Sequence, residues 1–404
     1  MANRVVEHDR LKKLKDTVAV VGVGESDYVG DYRSGAKGNA AEKGSGALNS
    51  YQLAAIALKR ALDDAGLTKD DIDGLVVGGP MSTERTCEVL GINASWCVSG
   101  DAPRGIIAAT QAINAGLCHT VALVYGNAQR SMNTQYGGPQ AMGGDGILSY
   151  VYYAPWGMTS QGGLYSMMFR RHQLVYGTTE EQLGAVSVAF RKHASMNPNA
   201  IMKERFTIED YMNSRYISEP FHLFDYCLIN DGGVAFIIQR RDMANGKQIP
   251  INVSGIGWSE MDIDSTQLRP RLKEFYYPAH RNVREQIYPM AGVGPKDVDV
   301  YATYDSFSTH LLFSLEGFGF CEPGEGGAYI QDGRIEIGGE IPCNTSGGML
   351  SESYMQSWNH QPELVRQLRH AYAGGPRQVE GAEVAQYVHD VAGKCLSVIY
   401  TRGQ

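Results

Sequence analysis

Two segments of the chain repeat one another at a distance of 226 residues, from 65 to 291. Residues 65–73 have the sequence AGLTKDDID, and residues 291–299 have the sequence AGVGPKDVD. Each segment follows a helical stretch and precedes a short apolar run, GLVVGG in one case and VYATYD in the other. A repeat with the same context on both sides indicates a duplicated α/β unit. The two halves are expected to share an interface, which is a common location for a ligand site.

Helical patterns alternate with short apolar runs around the first repeat. Residues 50–67 have helical spacing, with Ser50 as the predicted cap and Gly66 at the predicted end. Residues 100–117 predict a second, central helix because they are apolar on nearly every face. The runs TVALVYGNA (120–128) and DGGVAFIIQ (231–239) predict buried strands. This alternation favours a layered α/β fold.

The rhythm breaks over residues 127–220, which are rich in Gly, Tyr and Met and predict an inserted loop domain with helices. We therefore divide the chain into an N-terminal half (1–126 and 221–250), the insert, and a C-terminal half (251–404). Within the insert, the Met- and Tyr-rich stretch 137–168 is a candidate lining for a large apolar pocket, or alternatively a dimer interface or the core of the loop domain. Residues 30–49, which mix Gly, Ala, Ser and charges, predict a long surface loop.

Several classes of protein are disfavoured by composition. The formal charge of −8 with no run of Lys or Arg argues against a nucleic-acid surface. No apolar stretch approaches the ~18 residues of a membrane span, and the short early apolar run does not form a signal peptide. The seven cysteines are scattered without a C-x-x-C motif, so we expect a reduced, cytoplasmic protein with no metal site. The run from Val18 is predicted to be a strand that leads into a Gly-rich loop, GVGESD (22–27), and this loop lacks the third glycine of a dinucleotide-binding motif.

Four segments carry a resemblance to a known family. They are DYCLINDGGVAFII (225–238), DVDVYATYDSFSTHLLFSLEGFGFC (297–321), CNTSGGMLSESYMQSWN (343–359) and GAEVAQYVHDVAGKCLSVIYTRG (381–403). Together they resemble the thiolase superfamily, specifically its lipid-transfer-protein-type branch. The resemblance covers nearly the whole chain. It implies a duplicated thiolase fold, layered α-β-α-β-α, with an inserted loop domain in the first half.

The chain departs from that family at the residues that a thiolase needs. In degradative thiolases of this branch the stretch 304–307 is His-Asp-Cys-Phe, and here it is YDSF. The Gly-His-Pro motif falls on 353–355, here SYM, so its histidine position is Tyr354. The position of the nucleophilic cysteine falls on Ser99, and Cys97 matches it only if the loop is shifted. A thiolase requires a thiolate nucleophile, an activating histidine and a second thiol.

Tyrosines at the two histidine positions, Tyr304 and Tyr354, are similar to those of the thiolase-like retro-aldolases that cleave steroid side-chain acyl-CoAs. The resemblance implies retro-aldol cleavage of a β-hydroxyacyl-CoA to a ketone or aldehyde and a short acyl-CoA such as propionyl-CoA. One tyrosine would act as base and the other as acid. We favour Tyr304 as the acid, although the sequence does not decide the roles. Free tyrosine titrates near pH ~10, so a base role needs compensation.

The same resemblance implies further site residues. Asn344, Gly347 and Gly348 match the family's Asn-x-x-Gly-Gly turn, where glycine is expected to let the backbone approach the thioester. His389 is a candidate donor to a carbonyl oxygen. Further candidate site residues are Ser99, Cys97, Asp305 and Ser306. We interpret His310 and His360 as surface or packing residues.

Two other functions stay open at this point. One is a divergent acyl-CoA C-acyltransferase that uses Cys97 or another thiol, and the other is a non-catalytic acyl-CoA- or lipid-binding subunit. Under the aldolase hypothesis CoA is part of the substrate, with no metal and no further cofactor. The resemblance also implies a homodimer and a small OB-fold partner protein of the zinc-ribbon type.

Overall fold

The fold is described from a computed structural model, which describes residues 8–35, 46–134, 156–158, 160–260, 274, 275, 277–391 and 394–403. The candidate pocket stretch 137–168 lies largely outside these residues, as does half of the predicted loop 30–49. None of the helices in the described ranges is long and apolar enough to cross a membrane.

The strands of the described chain form one large mixed sheet and one small hairpin. The strand bounds are β1 (Val18–Glu25), β2 (Gly74–Gly78), β3 (Trp96–Ser99), β4 (Thr120–Ala128), β5 (Tyr216–Ser218), β6 (Phe221–His222), β7 (Asp231–Arg240), β8 (Ile251–Glu260), β9 (Val300–Thr303), β10 (Val384–His389) and β11 (Lys394–Arg402). The large sheet has the order β3-β2-β4-β7-β1-β8-β11-β10-β9, and β5 pairs with β6.

The strand order shows the duplication. At one end of the sheet, β3, β2 and β4 are parallel to one another. β7 is antiparallel to β4, and β1 is antiparallel to β7. From the other end, β9 and β10 are parallel, and β11 and β8 follow antiparallel. An isolated parallel bridge between Tyr301 and Cys343 stands where β3 stands in the first half. The halves join where β1 and β8 pair antiparallel at Ala19–Asn252 and Val20–Ile251. The predicted duplicated α/β fold is therefore confirmed.

The sequence repeat corresponds to one structural device used twice. Gly66 and Gly292 follow the ends of two helices with φ of 72° and 75°, a conformation that favours glycine. A short 3-10 turn follows each of them, at 69–71 and 295–297, and leads into β2 and β9. The residues that the two repeats share therefore mark the end of a helix, a turn and the start of a strand.

The helices cover both faces of this sheet. Their bounds are α1 (His8–Lys12), α2 (Tyr28–Gly35), α3 (Ser50–Ala65), α4 (Thr83–Leu90), α5 (Ala102–Asn114), α6 (Gln161–Tyr176), α7 (Glu180–Met196), α8 (Ile208–Met212), α9 (Tyr277–Ala291), α10 (Thr309–Phe318), α11 (Gly326–Ile330), α12 (Gly348–Ser351) and α13 (His360–Leu368).

Three apolar clusters separate the layers. One lies between α3 and the first half-sheet. The second lies between the two half-sheets and includes residues of α5 and α13, so these helices form the middle layer. The third lies on the outer side of the second half-sheet, under α9 and α10, and it also takes in apolar residues of α6 and α7. The order is helix, sheet, helix, sheet, helix, as predicted for a thiolase-like fold. The three-part domain division stays a prediction.

Three local predictions differ from the structure. Asn49, not Ser50, caps α3, because its side chain and that of Gln52 form a reciprocal capping box. The predicted loop from residue 30 begins inside α2. The glycines of VAVVGVG lie within β1 rather than after it. A Cβ at Gly22 would lie 2.2 Å from the carbonyl oxygen of Ala61, so glycine lets α3 pack on the strand.

Candidate active site

The two tyrosines singled out in the sequence meet in the folded chain. Tyr304 follows β9 directly, and Tyr354 lies three residues after α12. Their hydroxyl oxygens are 3.4 Å apart. The backbone N–H of Tyr304 donates to Val388 O at 2.8 Å, and that of Tyr354 donates to Asn230 Oδ1 at 2.7 Å. Both rings are nearly buried, with 5% and 6% of their surface exposed, so little water reaches the pair.

A cavity of about 670 Å³ lies in front of Tyr304, at the junction of the two halves. The first half contributes Ser99, Asp101 and Asn127 to its wall, among others. The second half contributes Tyr304, Gln356, Val391, His389 and Lys394. Tyr354 is not part of this wall, but it belongs with Tyr304, Met349 and Val391 to one small apolar cluster. The prediction of a ligand site between duplicated halves agrees with this cavity.

Asp305 joins the two chain segments that carry the tyrosines. Its fully buried carboxylate accepts the backbone N–H groups of Met349 at 2.9 Å and Leu350 at 3.2 Å, at the start of α12. His360 Nε2 lies 3.0 Å from the same carboxylate. Asp305 therefore ties the end of β9 to α12 and α13. His360, interpreted above as a surface or packing residue, is a buried partner in this tie.

The Asn-x-x-Gly-Gly turn forms the frame behind the tyrosines. The Asn344 side chain accepts from Thr303 N at 2.8 Å and donates to Thr303 O at 3.0 Å, so it locks the turn to β9. A Cβ at Gly347 would lie 2.6 Å from Ala194 of α7, and one at Gly348 would lie 2.2 Å from Asp305 Oδ2. These close contacts account for both glycines by packing. Contact of the turn with a thioester stays a prediction.

His389 lies on the cavity side of Tyr304, with the two ring centroids 4.7 Å apart. Its Nδ1 is 3.2 Å from Ser357 Oγ and 3.4 Å from the Tyr387 hydroxyl. Burial, followed by the positive charge of Lys394, lowers the pKa of His389 to about 3. The imidazole is therefore neutral at pH 7. Its Nε2 is buried and has no hydrogen-bond partner among the described residues.

A partly buried ion pair borders the same cavity. Asp101 precedes α5 and its side chain accepts the backbone N–H of Arg104, while Lys394 pairs with its other oxygen. Burial raises the pKa of Asp101, but at the low pH where this carboxyl titrates, the charges of protonated His389, Lys394 and Arg104 outweigh burial and bring the pKa to about 2. The wall of the cavity thus carries a fixed carboxylate and a fixed ammonium next to His389.

A chain of buried polar groups behind Tyr304 was missed in the sequence. Ser306 Oγ lies 3.1 Å from His310 Nε2, and His310 Nδ1 lies 2.9 Å from Asp390 Oδ1. The other oxygen of Asp390 lies 2.9 Å from His280 Nε2. The one available signal was the spacing of Ser306 and His310, four residues apart at a helix start. Nothing local in the sequence links them to His280 or Asp390.

The cysteines are placed poorly for nucleophilic catalysis. Cys97 is half-buried next to Cys87 and packs against the outer cluster under α3, and it is not part of the cavity wall. Burial, with a further contribution from Cys87, raises the pKa of Cys97 to about 12, so it is a thiol at pH 7. Ser99, on which the nucleophile position falls according to the family resemblance, does line the cavity.

Comparisons with known proteins agree with this geometry. Residues 262–399 match the family described as Thiolase C-terminal domain-like. A steroid side-chain-cleaving aldolase of Thermomonospora curvata is 32% identical over 91% of this chain and 94% of its own length. A 17-hydroxy-3-oxo-4-pregnene-20-carboxyl-CoA lyase of Mycobacterium tuberculosis is 34% identical over 88% of this chain and 92% of its own length.

A solved structure named Ltp2-ChsH2(DUF35) aldolase superposes with a TM-score of 0.82 at 29% identity, covering 97% of this chain and 99% of that one. Fold, site and these similarities show that the chain belongs to the thiolase superfamily. Within that superfamily it belongs with the thiolase-like carbon–carbon lyases, to which both of the named relatives belong.

Proposed function

We propose that this chain cleaves the Cα–Cβ bond of a β-hydroxyacyl-CoA by a retro-aldol reaction, giving a ketone or aldehyde and a shortened acyl-CoA. The observation that carries the proposal is the direct approach of Tyr304 and Tyr354 at 3.4 Å beside the cavity between the halves. Acyl transfer needs a thiolate at this place, whereas a retro-aldol reaction needs two proton transfers and no covalent intermediate.

The tyrosine pair supplies both transfers in one closed cycle. The β-hydroxyl proton passes to the oxygen of Tyr354, and the proton of Tyr354 passes across to the oxygen of Tyr304. The O–H electron pair of the substrate becomes the new C=O bond, and the Cα–Cβ pair is left on the acyl-CoA enolate. Tyr304 gives its own hydroxyl proton to Cα in the same step in which it receives the proton of Tyr354, so neither phenol oxygen carries two protons. One proton enters the pair and one leaves it, so neither tyrosine has to rest as a phenolate at pH 7.

The developing enolate oxygen requires a hydrogen-bond donor, because charge gathers there as the carbon–carbon bond breaks. His389 is in place for this role, since it lines the cavity next to Tyr304 and its Nε2 is unengaged among the described residues. The proposed reaction draws on no metal or redox cofactor, and CoA enters as part of the substrate. Ser99 at the former nucleophile position borders the same space.

The names of the two relatives favour a substrate with a steroid at the β-carbon. A cavity of about 670 Å³ is within the usual range for small-molecule sites, ~300–1,000 Å³. We further propose a cytoplasmic homodimer that works with a small OB-fold partner. The name of the solved structure, which joins two proteins in one aldolase, supports a partner of this kind.

The test is a turnover assay with a C22 steroid side-chain β-hydroxyacyl-CoA, with products followed by mass spectrometry. Release of a 17-keto steroid and propionyl-CoA supports the lyase. Thiolysis of a 3-ketoacyl-CoA that is blocked by iodoacetamide would support the acyltransferase instead. Binding of the acyl-CoA without turnover, measured with the partner protein present, would support the non-catalytic subunit.

A further inference from the structure

His389 can donate to a carbonyl oxygen through Nε2 only if its single hydrogen is on that nitrogen. A neutral imidazole has two tautomers, and the partner of one nitrogen decides which atom of the ring carries the hydrogen. The groups around His389 therefore determine whether the cavity meets an N–H donor or a lone pair. The role proposed for His389 requires the tautomer with hydrogen on Nε2, but it does not say which neighbouring groups enforce that tautomer.

Two contacts favour hydrogen on Nε2. Tyr387 is completely buried in β10 and its hydroxyl lies 3.4 Å from Nδ1 of His389. Burial holds the pKa of Tyr387 well above its ordinary value, so the phenol keeps its proton and can donate it to Nδ1. On the other side of the ring, Asp101 Oδ2 lies 3.9 Å from Nε2. This distance is too long for a hydrogen bond, but the negative charge favours an N–H over a lone pair facing it, and the ammonium of Lys394 on the same carboxylate oxygen opposes this preference only in part.

One contact favours the other tautomer. Ser357 Oγ lies 3.2 Å from Nδ1, and an Nδ1–H would donate to it. The Ser357 hydroxyl itself donates to the carbonyl oxygen of Gln356. With hydrogen on Nδ1, however, the Nε2 lone pair would face the Asp101 carboxylate, and the Tyr387 hydroxyl would lose its acceptor on the ring and keep Ser357 as its side-chain partner. Asp101 cannot move away easily, because it caps α5 and pairs with Lys394.

We infer that Tyr387 and Asp101 are positioning residues that hold His389 in the tautomer with hydrogen on Nε2, so that this N–H donates to the carbonyl oxygen of a bound thioester. The inference rests on the proposed function, in which that oxygen becomes the enolate oxygen. Neither positioning residue touches the reacting atoms in this scheme. Tyr387 acts through Nδ1 and Asp101 acts beside Nε2.

The tautomer can be measured without any turnover. The full-length protein is labelled with ¹⁵N-histidine, and loss of a signal in His389→Gln identifies the residue among the ten histidines. We expect His389 to show the Nε2–H tautomer at pH 7 and to move towards Nδ1–H in Tyr387→Phe. Tyr400→Phe is the matched control, because Tyr400 is also buried and donates to Gln361 Oε1 instead. An Nδ1–H tautomer in the wild-type protein overturns the inference.

Activity then shows whether the tautomer serves the reaction. Removing an oxyanion donor costs about 10²–10³-fold in kcat, so a partial loss of Nε2–H in Tyr387→Phe should cost at least ~10-fold with KM nearly unchanged. Glutamine at position 389 keeps a donor that has no tautomers. In the His389→Gln background, Tyr387→Phe should therefore cost less than about twofold more. An equal loss in both backgrounds would assign Tyr387 a purely structural role and overturn the proposal.

The two readouts separate this inference from the proposed function. If the His389 tautomer changes as expected in Tyr387→Phe but the wild-type protein does not cleave β-hydroxyacyl-CoA, the retro-aldolase function is contradicted. The positioning of His389 by Tyr387 and Asp101 then still holds. A chain that cleaves the substrate and has the Nδ1–H tautomer would contradict the positioning alone. Adding propionyl-CoA as probe should shift the His389 Nε2–H signal in the wild-type protein.

Discussion

The hydroxyl oxygens of Tyr304 and Tyr354 lie 3.4 Å apart although fifty residues separate the two positions in the chain. The contact depends on Asp305, whose carboxylate joins the end of β9 to the start of α12. A direct contact changes the chemistry open to tyrosine, because a proton can cross the pair without either ring resting as a phenolate. Four predictions about this arrangement and its scaffold follow from the contacts above.

Replacement of Cys97 by Ala should leave most of the turnover intact. The thiol is outside the cavity wall, and burial keeps it protonated at pH 7. Intact-mass spectrometry of the wild-type protein after mixing with substrate should show no acyl adduct. A stable adduct on Cys97, together with loss of turnover in the variant, would move the function to acyl transfer.

Replacement of Gly22 by Ala should destabilise the fold strongly. The new Cβ would lie 2.2 Å from the backbone oxygen of Ala61, so β1 and α3 would have to separate. Overpacking of this kind costs typically ~1–3 kcal/mol or more in the free energy of unfolding. Chemical denaturation measures the loss. Gly294→Ala is the control, because nothing but Asp297 Oδ2, at 3.8 Å, comes near the added Cβ. Equal stability of the two variants would contradict the described packing of α3.

The stability of the protein should fall as the pH drops from about 6.5 to about 4, with His193 as one cause. Its Nε2 accepts from Ile337 N at 3.1 Å and its Nδ1 lies 3.3 Å from Asn344 O, so the folded state needs the neutral ring. Burial lowers the pKa of His193 from 6.5 to about 4. The unfolded chain therefore binds one more proton in this window, and stability is lost as pH falls.

His193→Gln should lose this part of the pH dependence, which amounts to about 3 kcal/mol for a shift of this size. The measurement is the free energy of unfolding at several pH values between 7 and 4. Tyr288→Phe, which removes no group that titrates between pH 7 and 4, should keep the wild-type slope. Identical slopes for the wild-type protein and His193→Gln would show that His193 is not held neutral.

The sequence predicted the parts of this structure that are encoded locally or twice. The repeat at 65–73 and 291–299 gave the duplication, because a helix end with a left-handed glycine, a turn and a strand start leave a local pattern. Tyr304 and Tyr354 were found because they stand at positions where a family places histidines. Their contact follows from the turn that Asn344 locks to β9, and a long-range contact of this kind leaves no periodic signal.

Other residues were missed or interpreted differently for physical reasons. His310 and His360 looked like packing residues, yet each is buried against a carboxylate supplied by a distant segment, Asp390 and Asp305. Gly347 and Gly348 were expected to let the backbone approach a ligand. Their close contacts with Ala194 and Asp305 explain by packing why glycine stands there, and these long-range contacts cannot be seen in the sequence alone. Burial of polar groups depends on the whole fold, so it escapes pattern analysis.

The central claim is that Tyr304 and Tyr354 move the two protons of carbon–carbon cleavage. The most direct measurement is single-turnover cleavage of the steroid side-chain β-hydroxyacyl-CoA by Tyr304→Phe and Tyr354→Phe, with exchange of the α-proton of propionyl-CoA followed in deuterated water. Tyr288→Phe, which removes a hydroxyl that is hydrogen-bonded to Gln386 and lies away from the cavity, is the control.

Each active-site variant should bind acyl-CoA but lose at least ~10²-fold in cleavage rate, and the control should stay near the wild-type rate. With Tyr304 as the acid, Tyr304→Phe should also be slow in exchange. Near wild-type cleavage by both active-site variants would contradict the account.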